Sequence, residues 1–196
     1  MSEASPPVTR DTTAAVRRRI LVVDDNRAIH DDFRKILTSQ APTTSAVDES
    51  EAALFGEPTQ TRGHPRFDVD FASQGMEGAE MVARACAQHD PYALAFVDMR
   101  MPPGWDGMET TQQIWERDPN VQVVICTAYS DHSWEDILAK LGHTDRLLIL
   151  KKPFDNIEVL QLAGALTQRW HAMEMARQRI RELELLLERR ASGAAA

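Results

Sequence analysis

Only two of the 196 residues are cysteine, Cys86 and Cys126, and neither sits in a C-x-x-C pair or beside a histidine at metal-ligand spacing. A disulfide framework and a structural zinc site therefore have little support, and both thiols read as reduced and buried, as in a cytoplasmic protein. Concentrated positive charge is scarce as well. Lysine and arginine total 22 against 30 acids, for a net charge of -8 and a pI near 5.2. General affinity for nucleic acid or an anionic membrane is not expected from such a balance. The one tight basic run, Arg17-Arg18-Arg19, reads as a solvated approach to the first strand. No apolar segment approaches the length of a membrane span, and Met1 to Thr13 lack the apolar core of a signal peptide. The expectation is a soluble protein of the cytoplasm.

What is present is a chain with 43% hydrophobic residues, long enough for one well-buried domain with appendages but not for two cores. Residues 1–18 read as a disordered leader. After them, short apolar runs alternate with segments of helical period, the pattern of a parallel α/β sheet. Strands are expected at Ile20 to Val23, Phe67 to Phe71, Ala93 to Val97, Val121 to Cys126 and Leu147 to Leu150. The intervening helices carry Ile29, Phe33, Ile36 and Leu37; then Val82, Ala85 and Cys86; then Met108 to Arg117; then Trp134, Ile137, Leu138 and Leu141. The main domain is placed at 19–169. Asp25 and Asp98 are 73 residues apart, whereas two βα units need only about 45 to 50. An insertion is therefore expected at about 38–65, a Thr/Ser/Pro/Gly-rich surface loop with one short helical candidate, Asp48 to Phe55.

From Asp155 to Gly193 the chain has no proline. Val159, Leu162, Leu166, Met173, Ala176, Ile180, Leu183 and Leu187 fall at alternating three- and four-residue steps, with Arg169 filling one place. The first part should cover the sheet. The continuation, 170–190, has nothing left in the domain to cover it and is expected to pair as a dimeric coiled coil, followed by a disordered tail at 191–196. About 25 residues beyond the domain are too few for a further DNA-binding or catalytic module.

An acid between a strand and a helix is by itself usually an N-cap. Asp24 and Asp25, however, share the ends of their strands with Asp98, Thr127 and Lys152. Parallel strands bring their C-termini to one edge, where carboxylates can hold a divalent cation and one can act as nucleophile. The histidines lack ligand spacing, and His30 reads as part of a solvated first helix.

Together these motifs resemble the receiver domain of two-component response regulators. The resemblance runs from about Arg18 to Arg169, through Leu21-Val22-Val23-Asp24-Asp25, Phe96-Val97-Asp98-Met99-Arg100-Met101-Pro102, Thr127-Ala128 and Leu150-Lys151-Lys152-Pro153-Phe154. It implies a flavodoxin-like, doubly wound five-stranded parallel sheet of order 2-1-3-4-5. It implies a signalling module rather than an enzyme: Asp98 as the acceptor of a phosphoryl group from a sensor histidine kinase, and Mg2+ held by Asp24, Asp25, Asp98 and the backbone carbonyl of Arg100. Thr127, the backbone of Ala128, and Lys152 would bind the phosphoryl group, with Lys151 the rival for the lysine role. The output would pass through the fourth helix, fifth strand and fifth helix to an unknown downstream protein or to a second copy of the chain, with phosphorylation altering the pairing of the last helix.

Two positions depart from the family pattern. Ile149 stands where an aromatic switch residue is common, so Tyr129 or Trp134 are candidate substitutes. Arg100 lies where the side chain affects access of water to the phosphoryl group, and with Tyr129 is expected to lengthen the phosphorylated lifetime. The competing readings are a phosphate sink, a receiver segment of a larger hybrid kinase or cyclase system and, more remotely, a Mg2+-dependent phosphatase of the haloacid-dehalogenase kind. That last class places its nucleophile in an Asp-x-Asp pattern on the first strand, which this chain lacks.

Overall fold

The apolar run that opens the domain forms a strand with no exposed face, because it is covered on both sides. In this computed structural model, which describes residues 18–38, 66–128, 134–142 and 144–193, strand β1 (Arg19–Val23) leads into helix α1 (Arg27–Thr38). There follow β2 (Asp68–Ala72), α2 (Gly75–Ala87), β3 (Leu94–Asp98) and α3 (Gly107–Arg117). The chain continues through β4 (Gln122–Thr127), α4 (Trp134–Leu141), β5 (Leu147–Lys151) and α5 (Asn156–Gly193). The expected elements are all present, with strand ends shifted by a residue. The expected leader, most of the insertion with its helix at 48–55, and Tyr129 lie outside the described residues.

The five strands are parallel and ordered β2-β1-β3-β4-β5. Strand alternation divides the core into two layers. Ile20, Val22, Phe96 and Val124 face α1 and α5, meeting Phe33, Leu37, Val159 and Ala163. Leu21, Val23, Val97 and Ile125 face α2, α3 and α4, meeting Val82, Ile114 and Ile137. Sandwiching between helices explains why these strands read as continuous apolar runs. Gly78 permits the tight seat of α2 on β1, since a Cβ there would lie 2.8 Å from Val23 Cγ2.

Helix starts are set by local capping. Asn26 Oδ1 accepts from Ala28 N at 3.0 Å, and Asp106 Oδ1 accepts from Glu109 N at 2.7 Å. Glu158 reaches back to the Asp155 N–H at 3.0 Å, one half of a capping box for α5.

Four sequence expectations need correction. His30 is buried, its ring 5.1 Å from Phe71, because α1 lies closer to β2 than a solvated helix would. Arg19 is not a solvating residue: its guanidinium bonds Asp70 (2.5 Å), the Tyr92 hydroxyl (3.0 Å) and the Asp90 carbonyl (2.5 Å) at the lower sheet edge. Burial, then the hydrogen bond to Asp70, pushes the Tyr92 phenol upward. Cys86 is only half buried and donates to Asp118 at 3.5 Å, with burial foremost in raising its thiol to about 11. Finally, cover on α5 does not stop at Trp170: that residue is buried and the next three turns lie partly against the base of the domain. The helix itself runs to Gly193, three residues into the expected tail.

Phe33 joins α1 to the sheet and to the β5–α5 connection, with Phe96 at 4.9 Å and Phe154 at 5.3 Å. Phe33→Ala is expected to cost about 3–5 kcal/mol, the range for buried Phe truncation, read as a lowered midpoint in urea unfolding with unchanged m-value.

Candidate functional site

Sheet register brings the polar strand ends level. Val23 pairs with both Ala72 and Val97, so Asp24 and Asp98 follow on adjacent strands at one height. Asp98 pairs with Cys126, and Thr127 pairs with Lys151, which places Lys152 one residue beyond. This edge is the crevice where the chain turns from building leftward (β1 to β2) to building rightward (β1 to β3), the general ligand position of doubly wound sheets.

Each acid is held differently. Asp24 is almost fully buried; its N–H donates to Ala72 O at 3.1 Å, and its Oδ1 accepts from Asn26 N at 2.9 Å. Asp25 is exposed, and Asp98 is half buried. Carboxylate oxygens of the three lie within 4.8 Å of one another, and among the described residues this is the one place where three acidic, histidine or cysteine side chains converge so closely. Lys152, not Lys151, reaches them: its ammonium donates to Asp24 Oδ2 at 2.8 Å and Asp98 Oδ1 at 2.9 Å. Lys151 is exposed, on the opposite phase of the strand.

The Lys152–Pro153 peptide is cis, as is Pro102–Pro103 in the loop after β3. Gly107 lets α3 begin directly against the end of β3: a Cβ there would stand 2.6 Å from Asp98 O. The Asp106-Gly107 pair was the available sequence sign of that close approach, and it had no role in the sequence reading.

Burial is the leading cause that raises the Asp98 carboxyl above its ordinary value, opposed by the hydrogen bond and charge of Lys152 and reinforced by the charge of Asp24. For Lys152, burial pulls the ammonium down, but hydrogen bonds and charges from Asp24 and Asp98 outweigh it and the net shift is upward. One ammonium thus stays charged between two carboxylates, and a third carboxylate faces them from the exposed side. Such an all-oxygen donor set suits a hard divalent cation. Asp98, largely buried, keeps a small part of its side chain open to solvent beside the exposed Asp25.

The remaining predicted residues surround this cluster. Thr127 is buried with its hydroxyl donating to Ala128 O at 3.0 Å, and Lys152 N donates to Thr127 O at 2.8 Å. Arg100 is exposed two residues after Asp98. Ile149 is half buried against the α2–α4 layer, and Trp134, the first residue of α4, is largely exposed rather than folded over that helix.

Residues 59–163, more than half of the chain, match the family model described as the response regulator receiver domain. The chain belongs to this family. The match begins after Asp24 and Asp25, so the structure is what joins β1 and its two acids to the rest of the receiver. The oxygen regulatory protein NreC of Staphylococcus carnosus is 28% identical over 116 residues, 59% of this chain and 41% of that protein. The photosynthetic apparatus regulatory protein RegA of Cereibacter sphaeroides is 36% identical over 86 residues, 43% of this chain and 45% of that protein. The receiver thus spans less than half the length of these relatives.

Among solved structures, a CheY-like receiver domain protein of Methanospirillum hungatei has a TM-score of 0.55 at 20% identity, covering 80% of this chain and 98% of its own. A chain of an adenylate cyclase from Rhodopirellula baltica has a TM-score of 0.59 at 19% identity, covering 84% and 98%. Both are likenesses of fold. No described helix is long and apolar enough to cross a membrane.

Lys152→Ala should lower stability in chelator by about 1–3 kcal/mol, less than loss of one partner from a fully buried pair because the ammonium keeps some contact with water. Saturating divalent cation should recover part of the loss, since it restores positive charge between the same carboxylates. Thermal unfolding with and without the cation measures both effects.

Proposed function

We propose that this receiver accepts a phosphoryl group on Asp98 from a phosphohistidine of a sensor kinase. The observation that carries the reading is the Asp98 carboxylate, largely buried but reached from solvent on one side, with one oxygen held by Lys152. In the transfer a carboxylate oxygen of Asp98 bonds to phosphorus as the P–N bond to the donor imidazole breaks and its electron pair stays on that nitrogen; the proton carried on the other ring nitrogen makes the leaving group a neutral histidine, and Asp98 becomes an aspartyl phosphate. Lys152, on one oxygen of Asp98, would pair with the new phosphoryl charge. The Thr127 hydroxyl, now bonded to Ala128 O, would turn to donate to a phosphoryl oxygen beside the Ala128 N–H.

The residues suited to a divalent cation are Asp25, open to solvent, with Asp24 and Asp98 behind it and the Arg100 carbonyl as a further oxygen. Mg2+ bound there would neutralise charge shared by the carboxylates and the phosphoryl group. Asp24 keeps its backbone and Lys152 contacts, which fixes the orientation of the cluster.

The added charge at Asp98 would bias the surface formed by α4, β5 and α5 toward a second arrangement and so alter contact with a downstream protein. Ile149 makes that route differ from one built on an aromatic ring. Because this chain covers 41% of NreC and 45% of RegA, a place within a larger hybrid kinase or cyclase system, or as a phosphate sink, uses the same chemistry with a different output.

Incubation with acetyl phosphate and Mg2+ should retard the wild-type chain on a phosphate-affinity gel and leave Asp98→Asn unshifted; a shift kept by that variant would move the acceptor elsewhere. Arg100→Ala should speed loss of the phosphoryl group, followed as inorganic phosphate release, if the side chain crowds the attacking water.

A further inference from the structure

The seven-residue repeat that seats α5 on the sheet does not end with the sheet. From Val159 and Leu166 it continues in step through Met173, Ala176, Ile180, Leu183 and Leu187. On a straight α-helix a strict heptad stripe drifts by roughly 20° per repeat. Over the length from Val159 to Leu187 it therefore turns about 80° away from the core. Val159 is 0% exposed, whereas Ile180, Leu183 and Leu187 are 56%, 45% and 65% exposed, on a stretch that has run past the domain and where every side chain from Gln178 to Arg190 is exposed. Arg169 marks the side on which the stripe emerges. It occupies a place in the repeat and bonds the carbonyl and carboxylate of Asp145, just before β5.

The neighbouring side of the same turns is already used. Trp170, Glu174, Gln178 and Arg181 line a cleft of about 560 Å³ against His89 and Asn120 in the loops at the base of the sheet. Glu174 there accepts from Arg177 at 3.2 Å and Arg181 at 3.1 Å. The apolar seam is thus separate from the polar face that the domain itself covers.

We propose that the occupant of this seam is a second copy of the chain, paired from Met173 to Leu187 as a parallel, in-register, two-stranded coiled coil. Three features favour this partner and orientation. First, Met173, Ile180 and Leu187 alternate with Ala176 and Leu183, and a β-branched residue followed by leucine at the two core positions, as in Ile180 and Leu183, favours two strands. Second, the parallel register sets Arg179, just before Ile180, opposite Glu184 of the other copy, five residues on, and two-fold symmetry repeats the pair. Arg179 now contacts Glu182 within its own helix at 2.5 Å, both side chains well exposed, a surface pair that exchanges at little cost. Third, the repeat is continuous with the part of α5 fixed to the receiver, so each strand enters the pair already helical and the ordering cost is reduced. Two heptads make a short seam, so the dimer is concentration dependent. The pairing stands independently of the phosphoryl chemistry proposed at Asp98.

Sedimentation of the full chain over a wide concentration range should show a monomer–dimer equilibrium. Leu183→Asp should hold the chain monomeric while circular dichroism and divalent-cation binding remain those of wild type, because Leu183 is exposed. Arg179→Glu or Glu184→Arg alone should weaken the dimer roughly tenfold, and the two together should restore it. Ala176→Cys, made with Cys86→Ser, should give a disulfide-linked dimer on mild oxidation, since facing core positions of a parallel pair lie within bridging reach. A chain monomeric throughout, a trimer, a dimer indifferent to Leu183→Asp, or a dimer that Ala176→Cys fails to link would each overturn the proposal.

Discussion

The Lys152 ammonium is the contact on which the functional edge depends. It comes from beyond β5 and binds Asp24 at the end of β1 and Asp98 at the end of β3, at 2.8 and 2.9 Å. Without a resident positive charge, two desolvated carboxylates and a third at the surface would repel one another at the core edge. The lysine makes the cluster tolerable in the free receiver. It also leaves one face of the cluster, at Asp25, open to solvent. Everything else in the sheet serves to hold these ends at one height. The two apolar layers, the Gly78 contact on Val23 and the Gly107 contact on Asp98 O all fix backbone positions that a loosely packed sheet would let drift.

The last helix shows how one sequence pattern can serve two surfaces. Its heptad stripe packs on the sheet at Val159 and Leu166, and the same stripe continues into solvent by Ile180, where the helix has run past the domain and all its faces are exposed. The base cleft beside Trp170 ties the following turns to the domain. A change in the position of α5 at the receiver would therefore be transmitted along a stiff element rather than lost in a linker.

Strands, helices and their order were legible because each strand is covered on both faces and reads as an unbroken apolar run, and each helix keeps one apolar stripe. The acids, threonine and lysine were legible because a parallel sheet puts every strand's C-terminus on one edge. His30 and Arg19 were misread for a common reason. Each lies next to a surface formed by residues distant in sequence, Phe71 for one and Asp70, Asp90 and Tyr92 for the other. Periodicity within one segment holds no information about what another segment brings against it. Cys86 was misjudged for the same cause, since Asp118 approaches it from another loop.

Sequence by itself determined the element order and the set of polar residues at the strand ends, since these follow from local pattern and chain direction. Only the tertiary structure decided how those residues meet. It chose Lys152 over Lys151 through strand phase and set Asp24 beside Asp98 through register. It also returned β1, separated from β2 by a long intervening segment, to its place between β2 and β3. The physical reason is that carboxylate and ammonium interactions act over a few ångströms, and only the packed sheet brings groups 128 residues apart to that range.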